Sequence, residues 1–202
     1  MSWVVFDYGG VISQHQPAGD VARLAAVAGC QPEEFTAAYW PGRLSYDTGE
    51  LDAAAFWKQT GAALGRSFSP AQVAELTRLD ISSWLHLQEE TVALVAQLAA
   101  AGHRLALLSN APAEVAEAVR GLPITRHFEH LVFSCYLRSA KPDPACYGAA
   151  LARLGAQPPE VTFLDDRPAN IEAAVELGLR GVHFTTPARA RAELARYGLL
   201  PA

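Results

Sequence analysis

The chain has 202 residues, of which 50% are hydrophobic and 18% charged, a composition that allows one large domain with a modest insertion. Its net charge of −5 gives no electrostatic reason to expect nucleic acid or a membrane surface as a partner. The three cysteines form no CxxC pair, no signal-peptide pattern opens the chain and no apolar run reaches spanning length. We therefore expect a soluble cytoplasmic protein, either monomeric or homodimeric.

Five short apolar segments are predicted to form strands. They are WVVF at 3–6, RLALL at 104–108, HLVF at 130–133, VTFL at 161–164 and RGVHF at 180–184. None alternates cleanly between apolar and polar residues, which is typical of strands buried on both faces. Because helical segments lie between the later strands, the pattern predicts an α/β fold with a parallel sheet and right-handed crossovers.

Four helical segments carry start and stop signals at their ends. The first of them ends at Gly102, and the second has Asp143 as a candidate N-cap, Pro144 at the first helical position and Gly155 as its stop. The remaining two repeat the pattern of proline at the start and glycine at the end. The four segments are QEETVALVAQLAAAG (88–102), DPACYGAALARLG (143–155), PANIEAAVELG (168–178) and TPARARAELARYG (186–198).

The region 14–85 interrupts this alternation, since it contains helical patterns and no convincing strand. One of its helices is predicted to begin at Ser69, with Gln72 at capping-box spacing. An insertion of about seventy residues is too long for an ordinary strand–helix connection. It directly follows the first strand, so it should lie above the ligand crevice. We predict a helical cap at 14–85 that acts as a lid on a core formed by 1–13 and 86–202.

Polar side chains follow the ends of the predicted strands. Each of them alone is best explained as a helix cap or a turn residue, but all of them together are hard to explain in that way. The carboxyl ends of parallel strands meet at one edge of the sheet, so these groups should converge. They are Asp7, Ser109, Asn110, Lys141, Asp165 and Asp166.

The chemistry of this set indicates a phosphoryl group and a metal ion. Carboxylates in close proximity repel one another unless a cation lies between them, and Mg²⁺ prefers oxygen ligands. Gly9 and Gly10 allow backbone groups to approach the metal and the phosphate. With Mg²⁺ and Lys141 cancelling the charge of the substrate, a carboxylate can attack phosphorus and form an aspartyl-phosphate.

The series resembles the four motifs of the haloacid dehalogenase (HAD) superfamily over almost the whole chain. The resemblance implies a Rossmann-like core with helices on both faces of the sheet and a small helical cap inserted after the first strand. It also implies Asp7 as nucleophile, Ser109 as the second-motif hydroxyl and Lys141 as the third-motif lysine. Alignment of FLDDRPAN with the fourth motif makes Asp166 the more direct metal ligand.

The same resemblance assigns supporting roles to three further residues. Asp165 would be an additional metal ligand, and the carbonyl of Gly9 would bind the metal. Asn170 would contact the ligands without binding the metal itself. Substrate contacts would come from Gly9, Gly10, Ser109, Asn110 and Lys141. The resemblance implies a Mg²⁺-dependent phosphatase that acts on a small phosphorylated substrate.

The first motif departs from the phosphatase pattern. Those enzymes read DxDx[TV], with the second Asp as general acid/base, whereas this chain reads DYGGV and places Gly9 there. General acid–base help is worth roughly 10²–10⁴-fold. The chain resembles a subgroup with glycine at this position that includes sugar phosphatases of the glucose-1-phosphate type. Anomeric or acyl phosphates, whose leaving groups depart as stable anions, would tolerate the loss. His15 could donate a proton, although a hinge position without a catalytic part is favoured for it.

Three alternatives remain open. A 2-haloacid dehalogenase also lacks the second Asp, but it works without metal and its fourth motif is not acidic. A phosphonatase-like enzyme would need a cap lysine, for which Lys58 is the only candidate, and a solvated lysine is the simpler interpretation. A binding module that has lost turnover is the third.

The cap is rich in aromatic residues, most of which are predicted to form its own small core. The segment YWPGRLSYDTG, residues 39–49, is expected to break the helical pattern as a loop. Arg43 in that loop is predicted to contact the substrate, with an exposed turn arginine as the equally weighted alternative.

Overall fold

The computed structural model describes residues 2–201, and within that range five strands form one parallel sheet. The strands are β1 Trp3–Phe6, β2 Arg104–Ser109, β3 His130–Phe133, β4 Val161–Asp165 and β5 Arg180–His183, arranged in the order β3-β2-β1-β4-β5. All five predicted strands and the predicted parallel α/β fold are confirmed. The order places β1 at the centre, so the residue that follows it lies between the ends of β2 and β4.

Five helices lie between β1 and residue 85: α1 Ala18–Ala28, α2 Pro32–Tyr39, α3 Arg43–Asp47, α4 Ala53–Ala63 and α5 Pro70–Ser83. We refer to residues 14–85 as the insertion. A hydrophobic cluster that includes Phe35, Phe56 and Trp57 is built from insertion residues alone. The predicted capping box is confirmed, because the Ser69 hydroxyl accepts from the Gln72 N–H at 3.3 Å.

The loop predicted at 39–49 is wrong. Trp40–Gly42 forms a short 3₁₀ helix, and α3 follows it directly. Pro41 lies in the first turn of the 3₁₀ helix, where its missing N–H removes no intrahelical hydrogen bond. A proline in the first turn of a helix is therefore compatible with that helix and does not indicate a loop.

The remaining helices are α6 Glu89–Ala100, α7 Ala113–Arg120, α8 Ser134–Leu137, α9 Pro144–Leu154, α10 Pro168–Glu176 and α11 Pro187–Arg196. The signals at their ends are confirmed: the Asp143 side chain accepts from the Ala145 N–H at 2.9 Å, and Gly155 ends α9 with a φ of +61°. Val4 and Phe6 pack into one hydrophobic cluster and Trp3 and Val5 into another, so both faces of β1 are covered. Across residues 2–201, none of the helices combines the length and apolarity needed to traverse a bilayer.

The two connections between the insertion and the sheet run side by side. Ser13 pairs with Leu87 in a β-bridge, and its hydroxyl donates to the Trp84 carbonyl at 2.7 Å. The Gln88 side chain donates to the carbonyls of Gly10 and Val11 at 3.2 and 3.1 Å. These bonds hold the segment after α5 against the glycine turn that follows β1.

Candidate active site

Asp7 lies at the carboxyl end of the central strand. Its N–H continues the sheet by donating to the Leu164 carbonyl at 2.9 Å, and the residue is only 7% exposed. Its Oδ1 accepts from the Tyr8 N–H and lies 2.7 Å from Lys141 Nζ. The carboxylate is therefore fixed by the strand on one side and by a buried cation on the other.

Lys141 bridges two carboxylates, because its Nζ also donates to Asp165 Oδ2 at 2.7 Å. The lysine backbone is held by one side chain, Asn110. Asn110 Oδ1 accepts from the Lys141 N–H at 2.9 Å, and its Nδ2 donates to the Lys141 carbonyl at 2.8 Å. Asn110, predicted to bind substrate, is thus placed to position Lys141.

The two fourth-motif aspartates have different environments. Asp165 is fully buried, and its oxygens accept from the Arg167 N–H at 2.8 Å and from Asn170 Nδ2 at 2.9 Å as well as from Lys141. Asp166 keeps 18% of its side chain exposed, with Oδ2 located 3.2 Å from His15 Nε2. One carboxylate oxygen from each of Asp7, Asp165 and Asp166 lies within 4.8 Å of the others.

The electrostatics of this cluster show an excess of negative charge. Burial, with a smaller contribution from the charge of Asp165, raises the pKa of Asp7 to about 7, even though Lys141 acts to lower it. Burial and the charge of Asp165 also raise the pKa of Asp166. Burial alone would lower the pKa of Lys141, but Asp7 and Asp165 raise it, so the lysine stays charged. Three carboxylates face one ammonium, which is the donor set that a hard divalent cation fits.

The glycine turn fits closely against this cluster. Gly10 has a φ of +77°, and a Cβ on it would lie 2.6 Å from Asp166 Oδ2, so only glycine is accommodated there. A Cβ on Gly9 would lie 3.2 Å from Cζ3 of the Trp84 ring. An indole ring therefore faces the position where the phosphatase pattern has its acid/base carboxylate.

The other predicted site residues divide into two groups. Ser109, at the end of β2, is buried at the same sheet edge as Asp7. Arg43 is not an exposed loop residue: it lies in α3, 5% exposed, 2.7 Å from Asp47 and 3.1 Å from Asp80, and it bonds the Tyr39 hydroxyl. Lys58 is exposed on α4. The structure thus places Ser109 at the same edge of the sheet as the carboxylate cluster and Arg43 within the insertion.

A cavity of about 270 Å³ adjoins the cluster. It reaches the cluster through His15, which contacts Asp166, and through Trp84, which faces Gly9. From the sequence, Trp84 is only one of the cap aromatics that are predicted to form a core, and Gln88 is not identified as a site residue. Trp84 and Gln88 reach the site because segments 8–14 and 84–88 pair in the folded chain, and no local sequence pattern predicts this pairing. The lining residues are His15, Gln16, Val21, Phe35, Thr36, Tyr39, Trp40 and Trp84.

Comparison with known proteins points to one family. Residues 1–178 match a family model described as haloacid dehalogenase-like hydrolase. Flavin mononucleotide hydrolase 1 of Arabidopsis thaliana is 28% identical over 135 residues, which cover 67% of this chain and 54% of that protein. The chain therefore spans only about half the length of this curated relative.

Two solved structures share the fold. A HAD family enzyme from Bacteroides thetaiotaomicron, in complex with magnesium and inorganic phosphate, superposes with a TM-score of 0.72 at 20% identity, covering 92% of this chain and 94% of that one. The L-2-haloacid dehalogenase RSc1362 superposes with a TM-score of 0.70 at 22% identity, covering 90% and 85%. One fold thus carries both a phosphate complex and a dehalogenase.

Proposed function

The chain belongs to the haloacid dehalogenase-like hydrolases, and we propose that it is a Mg²⁺-dependent phosphatase that hydrolyses a small phosphate monoester through a phospho-Asp7 intermediate. The observation that carries the proposal is the contact of Asp7 with Lys141, 2.7 Å apart, inside a cluster with two further carboxylates. A nucleophilic carboxylate beside a buried cation suits attack on a phosphate dianion, because the cation offsets the repulsion between them.

In the first step an Asp7 carboxylate oxygen forms a bond to phosphorus while the bond from phosphorus to the leaving oxygen breaks. The leaving oxygen departs with the electron pair. Lys141 stabilises the charge on the transferring oxygens, and the Ser109 hydroxyl and the N–H groups of the Gly9–Gly10 turn are the donors available for them. In the second step a water oxygen forms a bond to phosphorus while the bond from phosphorus to the Asp7 oxygen breaks. The proton of the water passes to solvent, inorganic phosphate is released and the Asp7 carboxylate is restored.

The residues that fit the metal are Asp7 and Asp166, together with the Gly9 carbonyl that the family resemblance supplies. Asp166 is partly exposed and its Oδ2 lies against the exposed imidazole of His15, whereas the oxygens of Asp165 already accept from Lys141, Asn170 and the Arg167 N–H. We therefore assign direct coordination to Asp7 and Asp166, and the orientation of Lys141 to Asp165. When bound, Mg²⁺ neutralises phosphoryl charge as a Lewis acid.

The absence of a carboxylate at Gly9 limits the leaving groups. Because the Trp84 ring faces that position, no acid replaces the missing one from that side. We propose that the enzyme favours esters whose leaving group departs as a stable anion. His15 touches Asp166 with 73% of its side chain exposed, and we give it no proton-transfer role.

The insertion serves as a lid in this proposal, with 1–13 and 86–202 as the catalytic core. Its own hydrophobic cluster and its two adjacent connections at 13–14 and 86–88 support a unit that moves about one hinge. A cytoplasmic location is supported by the free thiols of Cys30, Cys135 and Cys146.

The test is phosphate release from a panel of sugar and acyl phosphates, with and without Mg²⁺, alongside halide release from a 2-haloacid. The proposal expects metal-dependent release of phosphate and no halide. Halide release in the presence of chelator, with every phosphate inert, would contradict it and identify a dehalogenase.

A further inference from the structure

The cavity beside the carboxylate cluster has an unusual surface for an enzyme of phosphorylated sugars. Four of its lining residues are aromatic: Phe35, Tyr39, Trp40 and Trp84. Trp40 and Trp84 stand edge to face, with ring centroids 6.4 Å apart. Phe35 and Tyr39 are each 1% exposed, so the open ring surface comes mainly from Trp40 and the half-buried Trp84, and it suits a flat apolar group.

Three polar side chains of the lining bond to partners within the protein, whereas the buried Nε1 of Trp84 has no such partner. The Tyr39 hydroxyl donates to Asp80 Oδ1 at 2.7 Å, and the Thr36 hydroxyl donates to the Pro32 carbonyl at 2.8 Å. Gln16 Nε2 donates to Ser83 Oγ at 2.8 Å. Few donors are left for the several hydroxyl groups of a sugar, and a sugar bound there would lose hydrogen bonds to water.

The charge of the lining excludes a second anionic group. Among the described residues that line the cavity, only His15 can become positively charged, and it already faces Asp166. Arg43 lies behind the aromatic wall, with its Cζ 5.3 Å from the Tyr39 ring centroid and 5.6 Å from that of Trp84, and it is held by Asp47 and Asp80. A carboxylate or second phosphate on the leaving group would find no free cation.

The size of the cavity suits a leaving group of about one ring. Its volume of about 270 Å³ lies just below the usual range of ligand pockets, about 300–1,000 Å³. A cavity of about 150 Å³ is enough for benzene in another protein. One substituted ring therefore fits.

We propose that this cavity binds the leaving group and that the substrates are phosphate monoesters of uncharged, single-ring phenols. This inference rests on the proposed phosphatase function and narrows it. It also accounts for Gly9: when the bond from phosphorus to oxygen breaks, a phenolate departs as a stable anion and takes its proton from solvent, so no acid is needed.

The test compares phenyl phosphate with acetyl phosphate, using the whole chain with Mg²⁺. Acetate is the better leaving group but has no ring, so leaving-group acidity alone would favour acetyl phosphate. The proposal expects kcat/KM to be at least tenfold higher for phenyl phosphate. Calorimetric titration should also show benzylphosphonate binding more tightly than phosphonoacetate, which carries a second anion.

Variants locate the effect in the cavity. Trp40→Ala should lower kcat/KM for phenyl phosphate by about threefold to tenfold, the value of one aromatic contact, and should lower it less for acetyl phosphate. Leu44→Ala is the control, because Leu44 is 61% exposed on the neighbouring helix and does not line the cavity. Both substitutions are at exposed positions that the fold tolerates.

The outcomes separate the two proposals. Hydrolysis of acetyl phosphate without preference for phenyl phosphate, and with equal binding of both phosphonates, would overturn the cavity proposal and keep the phosphatase. If neither ester is hydrolysed, the phosphatase proposal is overturned. The proposal that phenyl esters are substrates then fails with it, even if benzylphosphonate binds.

Discussion

Two buried cations in the described part of the chain, Arg43 and Lys141, each contact two carboxylates, yet their surroundings differ. Arg43 lies in the insertion between Asp47 and Asp80, and Asp80 also accepts from Gln16 and the Tyr39 hydroxyl. Neutral donors thus complete that cluster from within the insertion.

The Lys141 cluster is completed only in part, because neutral donors bond to Asp7 and Asp165, whereas Asp166 is left with the exposed His15. Asp7 and Asp165 contact the lysine, and Asp166 adds a third carboxylate that is partly open to solvent. A buried ion pair is therefore weak evidence for catalysis by itself. Uncompensated charge at the end of the central strand is what distinguishes the candidate site from a structural cluster.

The largest expected effect comes from Asp7→Asn, which removes the nucleophile. We expect kcat to fall by at least about 10⁴-fold. The fold should persist, because burial and the charge of Asp165, which raise the pKa of Asp7, disfavour an ionised carboxylate there and do not act on a neutral amide. Steady-state phosphate release and thermal melting check this. Surviving activity would remove Asp7 from the nucleophile role.

Replacing each cation by alanine tests directly whether Lys141 serves catalysis and Arg43 serves stability. Lys141→Ala should lower kcat by about 10²–10³-fold, since charge stabilisation in the transition state is lost. Lys58 is exposed on α4 and cannot substitute for it. Arg43→Ala should instead lower the free energy of unfolding by ~3–5 kcal/mol, because Asp47 and Asp80 lose their cation inside the insertion. Kinetics and urea unfolding of both variants distinguish these effects, and interchanged results would contradict the assignment.

Gly9→Asp restores the carboxylate of the phosphatase pattern and so tests the explanation of the missing acid. Alone it should destabilise the protein by ~1–3 kcal/mol, because its Cβ meets the Trp84 ring. With Trp84→Ala to make room, we expect kcat to rise by up to about 10²-fold on an alkyl phosphate and less on an acyl phosphate. The single Trp84→Ala variant is the control. Equal gains on both esters would contradict the explanation of the missing acid.

An effect of comparable size is the stabilisation by Mg²⁺. At about 100 times its Kd, the ion should stabilise the fold by ~2.7 kcal/mol, a rise of several degrees in Tm. Asp166→Asn should abolish the rise. Asp52→Asn, the same change at an N-cap outside the cluster, should keep it. A rise that survives Asp166→Asn would place the metal elsewhere.

The sequence predicts the strands well because each is a short apolar run, and VTFL at 161–164 is in addition preceded directly by a proline-containing turn. The convergence of Asp7, Lys141, Asp165 and Asp166 follows from parallel topology alone. Long-range packing does not follow from the sequence. The contact of Trp84 with Gly9 and the bonds from Asn110 to the Lys141 backbone depend on segments that meet only in the folded chain.

Arg43 is a second case in which long-range packing does not follow from the sequence. Local sequence predicted a loop around Pro41, but the burial of Arg43 is decided by Asp80, which lies 37 residues away on α5. Tertiary ion pairing overrode the local signal.

The most direct test of the phospho-Asp7 intermediate is chemical trapping. The enzyme is mixed with Mg²⁺ and acetyl phosphate, quenched in acid and reduced with borohydride, and the peptides are sequenced by tandem mass spectrometry. We predict reduction of Asp7 to homoserine, absent in Asp7→Asn and in samples without substrate. Reduction at another aspartate, or none while phosphate is being released, would contradict the mechanism.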